Sequence, residues 1–408
     1  MVETPRGNRV HIVILGRTNA GKSSIINKIT NQNISLVSNV RGTTTDPVYK
    51  AMELLPIGPV VFIDTAGVDD IGEIGDLRVE KTKEVLNKMD VGILVISSEN
   101  LLRDSSLSYE KEWLEEIKKK NKPFLVVLNK IDLLGEGEKR EIVSQLKEEL
   151  KCEIIEITTL EDKKILKLKE KLIELSPKFI SEEKLIGDKI KKGDKILLVA
   201  PQDIQAPKGR LILPQVQVLR DILDSKGIPI VVTLDNLDEG LEIFQGKPDL
   251  VITDSQVFGV VNKKIDKDVL LTSFSIIMAR AKGDLEDLYQ GAKVIRNLKE
   301  GAKVLIAEAC THHQLKGDIA REKLPILLQN IIKNVNIENC SGKDFPKDIS
   351  SYDLVIHCGS CMLNRAETLN RLRECTEKNI PITNFGMAIA EMNGILDRVM
   401  EIFQGGRR

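Results

Sequence analysis

From Val10 the chain alternates short apolar runs with longer stretches of helical periodicity. The runs Val10–Leu15, Val60–Ile63, Val91–Ile96, Phe124–Leu128 and Glu153–Ile157 predict strands separated by amphipathic helices. Strand, loop and helix in rotation predict a parallel sheet covered on both faces. Leu160 to Leu175 predicts a charged amphipathic helix stopped by Ser176-Pro177, and the Lys- and Glu-rich residues 177–193 read as a linker. A second βα unit starts at Lys195, with helices over 214–225 and 237–245 and strands Pro229–Thr233 and Leu250–Thr253. A unit this small buries little surface alone, so it is expected to lean on a neighbour or on a second copy of itself. A third unit begins near residue 270, with strands Lys303–Ala307 and Leu354–His357. The expected fold class is α/β, divided as a domain over 1–176, the linker 177–193, a small α/β domain over 194–266 and a final α/β domain over 267–408.

Composition narrows the partners. The 408 residues are 42% hydrophobic, enough for several cores, and a formal net charge of −1 offers no bulk attraction to nucleic acid or an anionic membrane. No apolar run approaches the roughly 18 residues of a membrane span. The opening Met-Val-Glu-Thr-Pro lacks a basic-then-apolar leader, so a cytoplasmic location is expected. Thiols stay reduced there, and clustered cysteines read as metal ligands or catalysts rather than disulfides.

Gly16-Arg17-Thr18-Asn19-Ala20-Gly21-Lys22-Ser23 fits the phosphate-loop pattern G-x-x-x-x-G-K-S between a strand and a helix. Its glycines let backbone amides close on phosphates, Lys22 bridges the β and γ oxygens, and the Ser23 hydroxyl binds Mg²⁺. Gly16, Asn19, Gly21, Lys22, Ser23 and Ser24 are the expected phosphate-side contacts. Asp64-Thr65-Ala66-Gly67 follows the second strand; Asp64 would hold Mg²⁺ through water and the Gly67 amide would sense the γ-phosphate. Lys22, Asp64 and Gly67 are the expected catalytic set. Asn129-Lys130-Ile131-Asp132 follows the strand ending at Leu128. A carboxylate there accepts from the guanine N1–H and exocyclic amine, a donor pair that adenine lacks, so Asp132 selects GTP. Val68 stands where a water-orienting Gln would, which predicts slow intrinsic hydrolysis. The expected enzyme is thus a slow GTPase.

These motifs resemble the translation-factor-related GTPases, nearest the branch of tRNA-modification and ribosome-assembly GTPases, over about residues 8–175. By that resemblance Gly42-Thr43-Thr44-Thr45-Asp46 is the first switch, with Thr44 sensing Mg²⁺ and Thr45 in place of the usual Arg. The resemblance also makes Asn19 a contributor to K⁺ binding beside the phosphates; shaping the loop is the plainer role for it. Thr158-Thr159 stands at the guanine–ribose loop as a poor match to the usual Ser-Ala.

The last third carries different chemistry. The chain has 4 His and 6 Cys, and many of them gather in Cys310-Thr311-His312-His313 and His357-Cys358-Gly359-Ser360-Cys361. Each cluster follows a predicted strand, and strand ends of a βα sheet meet at one edge, so Cys310 can reach the Cys358/Cys361 pair. Three thiolates suit a four-iron cluster with one iron left to an exchangeable ligand, or a Cys₃His zinc site. His312, His357 and Glu308 are the candidates for the last position. C-x-x-C alone would equally fit a redox pair. Cys152, Cys340 and Cys375 lie outside the pattern and read as ordinary thiols; His11 and His313 read as structural or peripheral.

A GTPase module followed by Cys-x-His and His-Cys-x-x-Cys resembles the FeFe-hydrogenase maturation GTPases over the whole chain, including residues 201–215, which look like that family's dimerisation segment. The resemblance implies a homodimeric scaffold that binds a 4Fe-4S cluster through Cys310, Cys358 and Cys361. It would carry a two-iron precursor made with two radical-SAM maturases and pass it to apo FeFe-hydrogenase, with no nucleic-acid or membrane partner. The family turn often reads His-Cys-Gly-Gly-Cys; Ser360 takes the second glycine's place. The rival reading is an RNA-directed ribosome-assembly or tRNA-modification GTPase with a zinc domain.

Overall fold

The computed structural model describes residues 7, 9–30, 46–67, 73–175, 185–200, 211–309, 318–342, 344–346, 348–360 and 363–404. The chain forms two compact units, Met1–Glu182 and Glu183–Arg408. Thr44, Val68, Cys310, His312, His313, Cys361 and Met362 lie outside the described residues. Among the described residues no helix is long and apolar enough to cross a membrane.

The first unit is a P-loop GTPase fold. Its sheet comprises β1 (Val10–Leu15), β2 (Val48–Leu54), β3 (Gly58–Asp64), β4 (Val91–Ser97), β5 (Phe124–Asn129) and β6 (Ile154–Glu156), in the order β2-β3-β1-β4-β5-β6. All neighbours are parallel except the β2–β3 hairpin. Successive side chains of a strand point to opposite faces, and β1 shows the consequence. Ile12 and Ile14 enter a core with Ile25, Ile26 and Leu168. Val13 and Leu15 enter another with Leu86, Trp113 and Ile117. A strand buried on both faces has to be apolar throughout, which is why β1 reads as an unbroken hydrophobic run. β2 was not anticipated from the sequence: its residues are largely half-exposed and no apolar run marks them.

The second unit holds two four-stranded parallel sheets. One comprises β7 (Lys195–Val199), β8 (Ile228–Val232), β9 (Leu250–Thr253) and β10 (Leu270–Ser273), in the order β10-β9-β7-β8. The other comprises β11 (Lys303–Glu308), β12 (Asn336–Ser341), β13 (Leu354–His357) and β14 (Ile382–Asn384), in the order β12-β11-β13-β14. Both contribute to a single core, where Leu197, Val199 and Val251 meet Val304, Ile306 and Leu354 through helix residues such as Ile276, Leu288 and Met387. The small second sheet leans on its neighbour in this way.

Two sequence expectations change here. β10 pairs in parallel with β9, Leu270 against Leu250, so the second sheet runs past the boundary expected at residue 266. Part of the expected linker is folded: Ile186 is fully buried, Ile190 nearly so, and both join the core with Val218 and Ile222. The Asp221 carboxylate holds that segment by accepting from the Ile186 and Gly187 amides at 2.8 and 2.7 Å.

Candidate functional site

The phosphate loop sits where the C-terminal end of β1 turns into helix Lys22–Thr30. Gly21 takes φ +92°, and a Cβ there would stand 2.2 Å from Asn129 Nδ2, so only glycine fits. Asn19 takes φ 62°, a left-handed conformation that Asn tolerates better than most residues. That conformation bears on the loop-shaping role. Lys22 Nζ is buried and donates to the Gly16 and Arg17 carbonyls at 2.7 and 2.9 Å, which holds the ammonium inside the loop.

The Mg²⁺-side residues converge. Ser23 Oγ donates to Asp64 Oδ2 at 2.5 Å, and Asp64 Oδ1 is buried with no hydrogen-bond partner among the described residues. Burial pushes the Asp64 carboxyl above its usual range; the Ser23 hydrogen bond and the charges of Lys22 and Lys50 oppose that. A hydroxyl beside a carboxylate with a free buried oxygen fits a small hard cation. Thr65 Oγ1 donates to the Ile14 carbonyl at 2.8 Å and ties this corner to β1. Gly67 packs against the loop so closely that a Cβ would stand 2.0 Å from Thr18 Oγ1.

The base-side motif is joined to the same loop. Asn129 Nδ2 donates to the Ala20 carbonyl at 2.9 Å, so this residue braces the phosphate loop. Asp132 Oδ1 accepts from Thr158 Oγ1 at 2.5 Å, which brings the expected guanine-selecting carboxylate to the Thr158 loop. Lys130, at φ 60°, pairs with Glu99 at 2.6 Å. Sequence reasoning missed Arg17's partners. Its guanidinium is buried between Glu110 at 2.9 Å and Asp104 at 3.2 Å, donates to the Ser106 carbonyl at 2.7 Å and lies over Tyr109. Arg17 thereby anchors the loop to helix Ser108–Lys119.

In the second unit, β11 and β13 are adjacent and parallel, with Ala307 opposite His357. Their ends bring Ala309 and Cys358 to one edge. The Cys358 amide donates to the Ala307 carbonyl at 2.9 Å, and the half-exposed Cys358 Sγ accepts from the Ala309 amide at 3.0 Å, one residue before Cys310. A thiol at a strand end, receiving the Ala309 amide, fits a thiolate ligand. Among the described residues no three His, Cys, Asp or Glu side chains form a metal site; two of the three expected cysteines lie outside them.

His357 is buried with both ring nitrogens engaged. Arg371 donates to Nε2 at 2.9 Å, and Nδ1 lies 2.9 Å from the Cys358 carbonyl and 3.2 Å from Ser360 Oγ. A guanidinium only donates, so Nε2 is the acceptor and the ring is neutral with its proton on Nδ1. Burial and then the Arg371 charge lower its pKa to about 4. In this arrangement His357 steadies the cysteine turn rather than offering a nitrogen to a metal. Glu308 is also buried, and it pairs with Arg321 at 3.2 Å. Ser360 takes φ 54°, a left-handed conformation that favours glycine. Cys340 and Cys375 are buried thiols, pushed up to about 11 and about 12 by burial. Arg371 and Lys282, whose Nζ binds the carbonyls of Ser360 and Leu363, were not flagged from the sequence.

Three domain families match the chain. Residues 185–283 match the hydrogen maturase F dimerization domain, and residues 286–402 match the hydrogen maturase F tetramerization domain. The chain belongs to the hydrogen maturase F family. Residues 11–130 match the 50S ribosome-binding GTPase family, and the N-terminal unit is a GTPase domain that binds GTP with Mg²⁺. The tRNA modification GTPase MnmE of Desulfotalea psychrophila is 34% identical over 128 residues, 31% of this chain and 26% of that protein. The same protein of Helicobacter pylori is 36% identical over 185 residues, 44% of this chain and 38% of that protein. The chain thus spans well under half the length of these curated relatives. The structure of Aquifex aeolicus Era bound to GDP and AlF₄⁻ aligns with a TM-score of 0.37 and 20% identity, covering 58% of this chain and 98% of that one. The names of the two maturase domains point to self-association.

Proposed function

We propose that this maturase is a GTP-hydrolysing scaffold that binds a 4Fe-4S cluster through Cys310, Cys358 and Cys361. On it a two-iron precursor is carried to apo FeFe-hydrogenase. The observation that carries the reading is the amide of Ala309 on Cys358 Sγ, which joins the two cysteine-bearing strand ends inside a hydrogen maturase F domain. Three thiolates leave one iron to an exchangeable ligand, which suits a carrier that must release its cargo. Glu308 and His312 remain the candidates for that position.

On the nucleotide side, Lys22 neutralises phosphate charge, Ser23 and Asp64 hold Mg²⁺, the Gly67 amide and Thr44 report the γ-phosphate, and Asp132 reads guanine. Asn19 contributes to a K⁺ site that raises the hydrolysis rate. Nucleotide state modulates contacts with the two radical-SAM maturases and the hydrogenase, and the assembly is a dimer or a dimer of dimers in the cytoplasm. The RNA-directed alternative draws on the descriptions of the GTPase relatives, which reach only the N-terminal part of the chain.

Anaerobic purification with iron and sulfide analysis and EPR, with and without GTP, tests the reading. About four irons per chain and a cluster signal are expected. A closed tetrahedral zinc site, or iron retained after all three cysteines are replaced, overturns it.

A further inference from the structure

Helix Phe274–Lys282 packs against residues His357 to Ser360 of the turn after β13. At its start, Ser275 accepts from Asn384 Nδ2 through its carbonyl at 3.0 Å, and a Cβ on Gly359 would stand 3.9 Å from Ser275 Oγ. Further along, Met278 and Ala279 line a small cavity with His357, Cys358 and Ser360. At its end Lys282, only 7% exposed, sends Nζ to the carbonyls of Ser360 and Leu363, each at 2.8 Å. Those two carbonyls bracket Cys361 and Met362. Lys282 falls within the residues matched by the dimerization domain, and the turn falls within those matched by the tetramerization domain. One buried ammonium therefore fastens the end of one domain to the ligand turn of the next.

We propose that Lys282 is the positioning residue of the cluster turn: it fixes the Ser360 and Leu363 carbonyls that flank Cys361 in the chain and brings a positive charge to the turn that bears Cys358. The inference rests on the cluster reading above. A nearby cation favours the more negative state of its neighbours. It follows that Lys282 favours the reduced over the oxidised cluster, and that it sets a property of the metal site from within the dimerization domain.

The test uses the full-length chain, reconstituted anaerobically with iron and sulfide, in the wild type and in Lys282→Met, Lys282→Arg and Cys358→Ser. Iron per chain, EPR, the midpoint potential and the rate of iron loss to a chelator are measured, with thermal melting of the C-terminal unit as the check on folding. Lys282→Met keeps the stem and removes the charge. It should shift the oxidised-to-reduced ratio about tenfold toward the oxidised form, about 59 mV more negative for one electron, and release iron several-fold faster. Lys282→Arg should recover most of both. Potential and release unchanged in Lys282→Met, with the cluster lost in Cys358→Ser, overturns the role of Lys282 alone. A cluster retained by Cys358→Ser overturns the ligand assignment instead. If Lys282→Met takes up no iron, recovery by Lys282→Arg but not by Lys282→Gln upholds the charge, and recovery by neither overturns it.

Discussion

Arg17 illustrates what single residues contribute. Its guanidinium is buried between Glu110 and Asp104, and removing one partner of a buried pair strands a charge. Glu110→Ala should therefore destabilise the GTPase unit by about 3 kcal/mol, and it should loosen GTP binding, because the loop loses its anchor. Thermal unfolding and nucleotide titration check both. Thr158→Val removes a hydrogen bond to Asp132, the carboxylate proposed to read the base, worth about 1 kcal/mol; GTP affinity should fall about fivefold with folding intact. The residues legible in the sequence, Lys22, Ser23 and Asn129 to Asp132, form motifs whose neighbours in space are neighbours in the chain. Arg17 and Glu110 stand 93 residues apart, and Lys282 and Leu363 stand 81 apart. No local pattern marks such pairs, since each side chain alone reads as a solvated charge.

Among the elements, the turn after β13 strains its own backbone. Ser360 at φ 54° costs about 1 kcal/mol relative to glycine, but its hydroxyl meets His357. Ser360→Gly should leave stability within about 1 kcal/mol, whereas Ser360→Val, β-branched and left-handed, should cost about 2 kcal/mol and lower iron retention. Melting of the C-terminal unit and iron analysis separate the two outcomes. β8 is an edge strand with Ile228 and Val231 half-exposed, and Leu223 is likewise exposed on the preceding helix Leu213–Asp224. An exposed apolar edge invites pairing with another chain. Val231→Lys together with Ile228→Lys should shift light-scattering mass toward the monomer; an unchanged mass would place self-association elsewhere. Interior strands were legible because burial on both faces demands apolar runs. The edge strand β12 was missed because its mostly polar, partly exposed residues break that pattern, and the edge strand β2 because Lys50 and Glu53 interrupt its apolar residues, most of them partly exposed. β14 was missed because a three-residue strand carries no periodicity.

At the scale of the whole molecule, each compact unit has its own hydrophobic cores. Lys22→Ala should abolish GTP binding while iron loading persists, and Cys358→Ala should abolish iron loading with GTP hydrolysis within about twofold of wild type. Loss of both activities in either variant would contradict that independence. The division into α/β parts was legible because composition and periodicity change along the chain. The packed segment 185–193 was not, because its buried Ile186 and Ile190 are diluted by flanking lysines and acids. The core common to the two C-terminal sheets has a further consequence, for evolution. A larger side chain accepted at Ile276 must be absorbed by the same close-packed interior that holds Val304 and Met387. The two halves cannot drift independently, and transplanting either into a distant homologue requires bringing along the facing residues of the other.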